Sequence, residues 1–308
     1  MLENSFYTNN NVDKQVFNAP YPSNDFNLPA YYAQTWTKPE GRTMAFIICI
    51  GGGGAGGDSF LASGTTVKGG SGGGASSAIS VTMVPFCSIP DTLYVQVGLG
   101  GDTRFGSTTA AARGTPSVVY TSLSFNSILI CSSFTSNTAG SIGALNTGGA
   151  GGAATPALSN ILGAVYLGLG GWASYAGQAG GNGTTNDGNN VTIGSILAVS
   201  GGAGGGAAST SNFSGGAMVA PDLQTSFFKQ IAGGAAGGGV GNPGYTVYKP
   251  FVSAGGTGGG GLSNGTQGRG GNGSIGSGGG GAGAGFAGFG GNNRGGNGGN
   301  GLVMIISY

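Results

Sequence analysis

Apolar residues occur along this chain in short blocks, and glycine separates the blocks. Residues Met44–Ile50 are apolar without interruption, which predicts a strand buried on both faces. Apolar and polar residues alternate strictly over Ile79, Ser80, Val81, Thr82, Met83 and over Leu93, Tyr94, Val95, Gln96, Val97. With Pro85, Pro90 and Asp91 between them, these read as two half-buried antiparallel strands. Further strands are expected at residues 117–121, 127–131, 165–169, 191–199 and 302–307. No window of about 12 residues carries a helical stripe, although residues 158–165 and 223–231 each have room for a short turn of helix. The pattern predicts an all-β fold with almost no α-helix.

Glycine blocks fill the spaces between strands, at residues 148–152, 180–183, 201–206, 233–241 and 255–301. The last block is periodic. Every third residue from Gly270 to Gly291 gives Gly270, Gly273, Gly276, Gly279, Ala282, Gly285, Gly288 and Gly291, and after Asn292, Asn293 and Arg294 the repeat resumes, shifted by one, at Gly295, Gly298 and Gly301. A three-residue period fits a threefold extended helix of the polyproline II kind, in which every third residue faces the same neighbour. Only glycine allows two backbones to meet there. Collagen shares the period but fills its other positions with proline, which this stretch lacks.

A flexible glycine linker competes with packed helices. Each glycine held in regular structure costs roughly 0.5–1 kcal/mol relative to alanine, so ordering 74 of them requires dense, cooperative packing. Disorder normally accompanies low hydrophobicity and high net charge. Here hydrophobic residues make up 38%, charged residues 6%, and the formal net charge is +1. Strands also anchor both ends of the glycine blocks. The expected architecture is therefore a β-sheet base carrying packed, polyglycine II-like helices, in which neighbouring segments pair each other's N–H and C=O groups.

Residues 1–34 differ in kind. They are rich in asparagine (Asn4, Asn9, Asn10, Asn11, Asn18, Asn24, Asn27) and aromatics (Phe6, Tyr7, Phe17, Tyr21, Phe26, Tyr31, Tyr32), and Pro20, Pro22 and Pro29 prevent a long helix. This segment reads as an extended attachment arm that needs a surface, its own domain or another subunit, while residues 35–308 form the glycine-rich β domain. Ten Lys and Arg scattered along the chain make no basic stripe for nucleic acid. No apolar run is long enough for membrane insertion, and the N-terminus lacks the basic region and apolar core of a signal peptide. Cys49, Cys87 and Cys131, odd in number and each in or beside an apolar run, read as buried free thiols rather than a disulfide framework.

The chain contains no histidine, which removes the usual general base and every Ser-His or Cys-His arrangement. Gly51, Gly53 and Gly56 fit a dinucleotide fingerprint, but no helix or well-spaced acid follows, as that site requires. Gly69-Gly70-Ser71-Gly72-Gly73 fits a nucleophile elbow; in a chain this rich in glycine both matches arise by chance. The nine carboxylates, Asp58 and Asp102 among them, read as surface and turn residues, with a glycosidase-like pair as the competing reading. No catalytic residue, metal-ligand cluster or cofactor is expected.

Three stretches carry a family likeness: Trp36-Thr37-Lys38-Pro39-Glu40-Gly41 ahead of a strand and Gly51 to Gly57; Val95-Gln96-Val97-Gly98-Leu99-Gly100-Gly101 with Phe105-Gly106-Ser107; and Asn300-Gly301-Leu302-Val303-Met304-Ile305-Ile306-Ser307-Tyr308. Together they resemble glycine-rich bacteriophage tail-fibre domains and, more loosely, the glycine-rich tip adhesins of T-even-like phages. The resemblance spans about residues 35–308. It implies a non-enzymatic virion protein whose stacked polyglycine II helices display loops that touch a receptor, protein or glycan, on a bacterial surface. The Asn-rich arm departs from that resemblance; with aromatics to bury and no core of its own, it is expected to attach the protein to other virion proteins, with possible homo-oligomers, after synthesis in the host cytoplasm without a signal peptide. A capsid-surface, decoration or other coat protein without a receptor role is the competing class, and an ice-binding face is a third. Receptor contact needs flat apolar faces beside hydrogen-bonding groups, which nominates Tyr245 and Tyr248 first, then Phe60, Phe213, Trp172 and Tyr175. Phe286 and Phe289 are also candidates, or pack together between helices.

Overall fold

The computed structural model describes residues 12–19, 33–59, 68–103, 111–123, 128–133, 138–154, 168–172, 175–182, 186–192, 198–209, 211–219, 229–248, 251–263, 265–285 and 294–308. Its strands are β1 (Asp13–Asn18), β2 (Ala33–Thr37), β3 (Met44–Ile50), β4 (Ile79–Pro85), β5 (Thr92–Gln96), β6 (Val118–Tyr120), β7 (Leu129–Ser132), β8 (Gly168–Trp172), β9 (Val191–Thr192), β10 (Ala198–Val199), β11 (Met218–Val219), β12 (Thr246–Tyr248), β13 (Phe251–Ser253) and β14 (Leu302–Ser307). The fold is all-β. Helix among the described residues is limited to the single 3₁₀ turn Phe86–Ser88.

Two sheets face each other as a sandwich. One has the order β1-β14-β3-β4-β8 and the other β2-β5-β6-β7. Alternation along each strand decides which residues meet between them. Ala45, Ile47 and Cys49 of β3, Val84 of β4 and Val303 and Ile305 of β14 pack against Trp36, Leu93, Val95, Val119, Ile130 and Cys131 of the second sheet. Trp36 is completely buried, with its ring edge-on to Phe86 at 5.7 Å. The other side of the five-stranded sheet carries Ile50, Ile79, Val81 and Leu302, which cluster with Val199, Phe251 and Ile275. Val199 and Phe251 belong to a third, small sheet ordered β10-β13-β12. The uninterrupted apolar run of β3 thus has packing partners on both faces.

Two expectations are corrected here. The alternating strands β4 and β5 do not pair with each other: β4 joins β3 and β8, whereas β5 joins β2 and β6. The 3₁₀ turn between them, flanked by Pro85 and Pro90, carries the chain from one layer to the next. Cys87 lies in that turn and is exposed, so only Cys49 and Cys131 of the three thiols are buried. The strand expected at residues 165–169 falls at Gly168–Trp172. Of the two possible helical turns, residues 158–165 and 223–228 lie outside the described residues. Residues 13–18, in the segment read as an arm, form β1 antiparallel to β14, with Phe17 in the sandwich core.

From the ends of these strands the chain continues as straight glycine-rich segments that run alongside one another. Hydrogen bonding cycles with a period of three, as polyglycine II requires. Along residues 69–77 the amides of Gly69, Gly72 and Ala75 donate to Ala144, Ser141 and Thr138. Those of Gly70, Gly73 and Ser76 donate to Gly181, Gln178 and Tyr175, and those of Ser71, Gly74 and Ser77 to Ala282, Gly279 and Gly276. The carbonyls of the same segment accept from three further neighbours, through Gly57, Gly152 and Gly202 among others. One segment therefore touches six others, the arrangement of a hexagonal bundle, and parallel and antiparallel neighbours serve equally. Burial without unpaired backbone groups is met by neighbours rather than by the segment itself.

This packing corrects the reading of a single glycine phase. In residues 278–283 a Cβ added to Gly278 would land on the carbonyl of Gly74, at Gly279 on Gly296, at Gly280 on Thr257, at Gly281 on Ser71 and at Gly283 on Gly260. All three phases face backbone, because the segment is surrounded. Small side chains are admitted at some lattice positions, and Ala55, Ser71, Ala75, Ala203, Ala282 and Ala284 are fully buried. The periodic stretch is also not one helix. It reverses direction at Ile275 and Gly276, where Gly276 has φ +67° and a Cβ would meet Ile50 Cγ2 at 2.5 Å. Glycine there serves a turn, whereas at 278–281 it serves close approach.

A collar of buried serines joins sheets to lattice. Where the pairing rule changes from period two to period three, some backbone groups lose their strand partner. Ser117 Oγ donates to the Ile50 carbonyl at 2.6 Å and accepts from the Gly98 amide at 2.9 Å. Ser133 Oγ accepts from the Ser117 amide at 2.8 Å, Ser200 Oγ accepts from the Gly255 amide at 2.7 Å, and Ser277 Oγ donates to the Ser253 carbonyl at 2.9 Å.

Candidate functional site

The lattice has two unlike ends. Segments 51–58, 98–103, 200–208, 254–262 and 276–285 leave the strand end, and segments 68–77, 111–115, 213–217, 265–274 and 294–301 return to it. Each outgoing run is followed in the chain by its return run, and pairing holds several of their far ends at one level. Lys68 bridges to both Leu145 and Ala208, Ala208 to Asn212, and Leu262 to Gly285, while the Gly237 amide donates to Gly261 and the Gly261 amide to Phe213. Segment ends that are distant in sequence thus meet at this end of the bundle, away from the sandwich.

Leu145 at this end is 48% exposed, and its neighbour Asn146 has φ 61°, the left-handed conformation that asparagine tolerates better than most residues. Amide and carboxylate oxygens stand in for missing lattice carbonyls. Asn182 Oδ1 accepts from the Gly148 amide at 2.9 Å, Asp187 Oδ1 from Ser214 at 2.7 Å and Asn212 Oδ1 from Ser263 at 2.7 Å.

Two carboxylates lie inside the same end, which corrects their reading as surface and turn residues. Asp58 and Asp102 are each only 8% exposed. Burial pushes the Asp58 carboxyl up to about 6, against the pull of the Gly295 amide, which donates to Oδ1 at 3.0 Å, and of Arg294. The charge of Asp102 adds to the rise and that of Arg269 opposes it. Burial also raises Asp102, countered by the Thr103 amide, Arg294 and Asn297. Both acids end a glycine run in the same local pattern, Gly56-Gly57-Asp58-Ser59 and Gly100-Gly101-Asp102-Thr103. That repeated glycine-glycine-acid-hydroxyl pattern was the available sequence signal for them.

The nominated contact residues do not gather in one place. Phe213 lies at the loop end, where its carbonyl accepts from Gly261. Phe60 directly follows the loop-end residue Ser59 in the chain, but Phe60, Phe286 and Phe289 lie outside the described residues. Tyr245 and Tyr248 sit at the strand end instead. Tyr245 packs on the cluster of Val191, Ala203, Met218, Val252 and Ala254, and its hydroxyl donates to the Lys229 carbonyl at 2.9 Å. Tyr248 is 41% exposed and its ring meets Phe251 edge-on at 6.2 Å. Tyr175 is exposed where a glycine segment leaves the strand end, its carbonyl accepting from Ser76. Trp172 belongs to β8 and pairs with Ile79, and its side chain lies outside the described residues.

Among the described residues no group of three or more His, Cys, Asp or Glu could hold a metal ion. No helix among them is long and apolar enough to cross a membrane. No curated protein matches this chain. Over residues 29–308 the sequence matches the glycine-rich domain family, and the chain belongs to that family.

Proposed function

We propose that this protein is a non-enzymatic receptor-binding adhesin of a bacteriophage particle, carried on a tail fibre or spike. The observation that carries this reading is the convergence of segment ends, distant in sequence, at one end of the lattice, opposite the sandwich. A binding protein needs variable segments held in fixed relative positions. A lattice whose central segment touches six others supplies that stiffness, and connections at its free end can change without disturbing it. The receptor is a protein or glycan of the bacterial surface, and the end bearing β1 and the residues before it faces other virion proteins.

Adsorption of particles assembled with altered protein tests the proposal. Leu145→Ser with Asn146→Gly, combined with Phe60→Ser, alters the loop end. Tyr245→Ser with Tyr248→Ser alters the strand end. Adsorption to host cells is expected to fall at least tenfold for the first set, with an unchanged melting temperature, and to hold for the second. Unchanged adsorption in the loop-end set, together with many copies per particle, would instead establish a coat or decoration protein. A loss confined to the tyrosine pair would move the receptor site to the strand end.

A further inference from the structure

Two of the three cysteines meet in the middle of the sandwich. Cys49 is on β3 in the five-stranded sheet and Cys131 on β7 in the four-stranded sheet, and both belong to the buried core between them. Cys131 Sγ lies 3.8 Å from the carbonyl oxygen of Ser80, to which it donates. Ser80 is the residue directly paired with Cys49 in the ladder between β3 and β4. Cys131 therefore reaches across the layer to the place where Cys49 stands, and burial, with Cys131 close by, holds the Cys49 thiol above its ordinary range. Thr82 is paired with Ile47 and lies on the same inward face of β4 as Ser80.

We propose that Cys49 and Cys131 are an oxidisable pair that forms a reversible disulfide between the two main sheets when the protein meets a low-molecular-weight disulfide. A bridge between facing sheets of a sandwich is sterically ordinary, and antibody domains carry one beside a buried tryptophan. Here Trp36 belongs to the same core cluster. The Cys131 thiolate attacks one sulfur of the small disulfide, giving a mixed disulfide and expelling one small thiolate. Cys49, deprotonated in turn, attacks the Cys131 sulfur and expels the second. The protein loses two protons and two electrons, and the small disulfide takes up both electrons as two thiols.

Access is through β7, which is an edge strand of its sheet. Burial holds the Cys49 thiol well above its ordinary range, so the folded pair reacts slowly and opening of this edge sets the rate. Exposed Cys87 reacts first and separately. Once formed, the bridge closes a loop of roughly 80 residues and so constrains the unfolded chain.

The test uses the full chain with Cys87→Ser, incubated with oxidised glutathione both in the folded state and during refolding from urea. Thiols are then alkylated and peptides mapped by mass. The expected product is one peptide pair joining Cys49 to Cys131, with a melting temperature raised by several degrees and restored by dithiothreitol. Cys131→Ser in the same background should give no bridge and no shift. If refolding under glutathione yields folded protein in which both thiols remain alkylatable, or in which each carries glutathione without joining the other, the proposal is overturned. A bridge that lowers the melting temperature would also overturn it as a stabilising latch.

Discussion

The sandwich and the glycine lattice are halves of one chain held together in opposite ways. In the sandwich, side chains fill the space and the backbone pairs only within each sheet. In the lattice, the space is filled by backbone itself, and a segment depends on its neighbours, six of them for residues 69–77, for its hydrogen bonds. A side chain in the first region stabilises by the area it removes from water. In the second it mostly obstructs. The comparison teaches that a chain with 74 glycines can offset their conformational cost if strands fix the start of each segment and packing then leaves few donors unpaired.

The largest difference is expected from bulk. Gly280→Val places its Cβ on the Thr257 carbonyl and Gly281→Val on that of Ser71. The obstacle is backbone rather than a side chain that can turn, so the cost exceeds the about 1–3 kcal/mol of ordinary overpacking, and circular dichroism should show no cooperative melt. If Gly281 accepts valine while Gly279 does not, the single-phase reading of the glycine period returns. In the sandwich the damaging change runs the other way: Trp36→Ala, which empties a fully buried site, should cost about 3–5 kcal/mol in urea unfolding. Valine for Ile47 should cost only about 0.5–1.5 kcal/mol.

A smaller effect is expected where a side chain completes the lattice. Asn300 Oδ1 accepts from the Gly100 amide at 2.9 Å, and Asn300→Ala leaves that donor without its amide partner, for about 1–3 kcal/mol. Asn300→Asp should recover most of it, since a carboxylate oxygen accepts equally well. The last effect concerns pH. The Asp58 carboxyl is held up near 6 in the folded protein, against about 3.9 in an unfolded chain, so the folded state binds the proton more tightly. The stability it contributes is full below the unfolded value, declines as pH rises from about 4 to 6, and stays level above that. Melting temperature measured over this window should show the decline, and Asp58→Asn should reduce it.

Much of the sandwich was legible in the sequence because its elements announce themselves locally. The apolar run of β3 and the final run of β14 fall where the pattern puts them, and the alternation of residues 79–83 and 93–97 marks β4 and β5. What alternation does not encode is which strand pairs with which, so the separation of β4 and β5 into different sheets was not visible. The lattice was legible as a period but not as a path. Gly276 fits the repeat and yet makes a reversal, because glycine satisfies both a positive φ and a close contact and the sequence does not distinguish them. Of the strand expected at residues 191–199, the described residues form two short strands, β9 and β10, which belong to different small sheets, a division the composition does not encode. At the loop end, Asp58 and Asp102 were read as surface groups because acids usually are; only the three-dimensional junction buries them. Tyr245, nominated for contact because it interrupts glycine, has its ring packed at the strand end.

Amide hydrogen exchange, resolved to the segment of residues 278–284 and compared with β3, tests the central claim most directly. In this segment the amides of Gly278, Gly279, Gly280, Gly281, Ala282, Gly283 and Ala284 donate in turn to Ser200, Gly54, Gly271, Ala203, Gly57, Gly268 and Gly206. If the lattice is a cooperative part of the fold, these amides should exchange as slowly as those of β3 and be released in the same unfolding transition. Exchange at the unfolded rate across residues 278–284, while β3 stays protected, would contradict the account and leave a sandwich bearing flexible glycine loops.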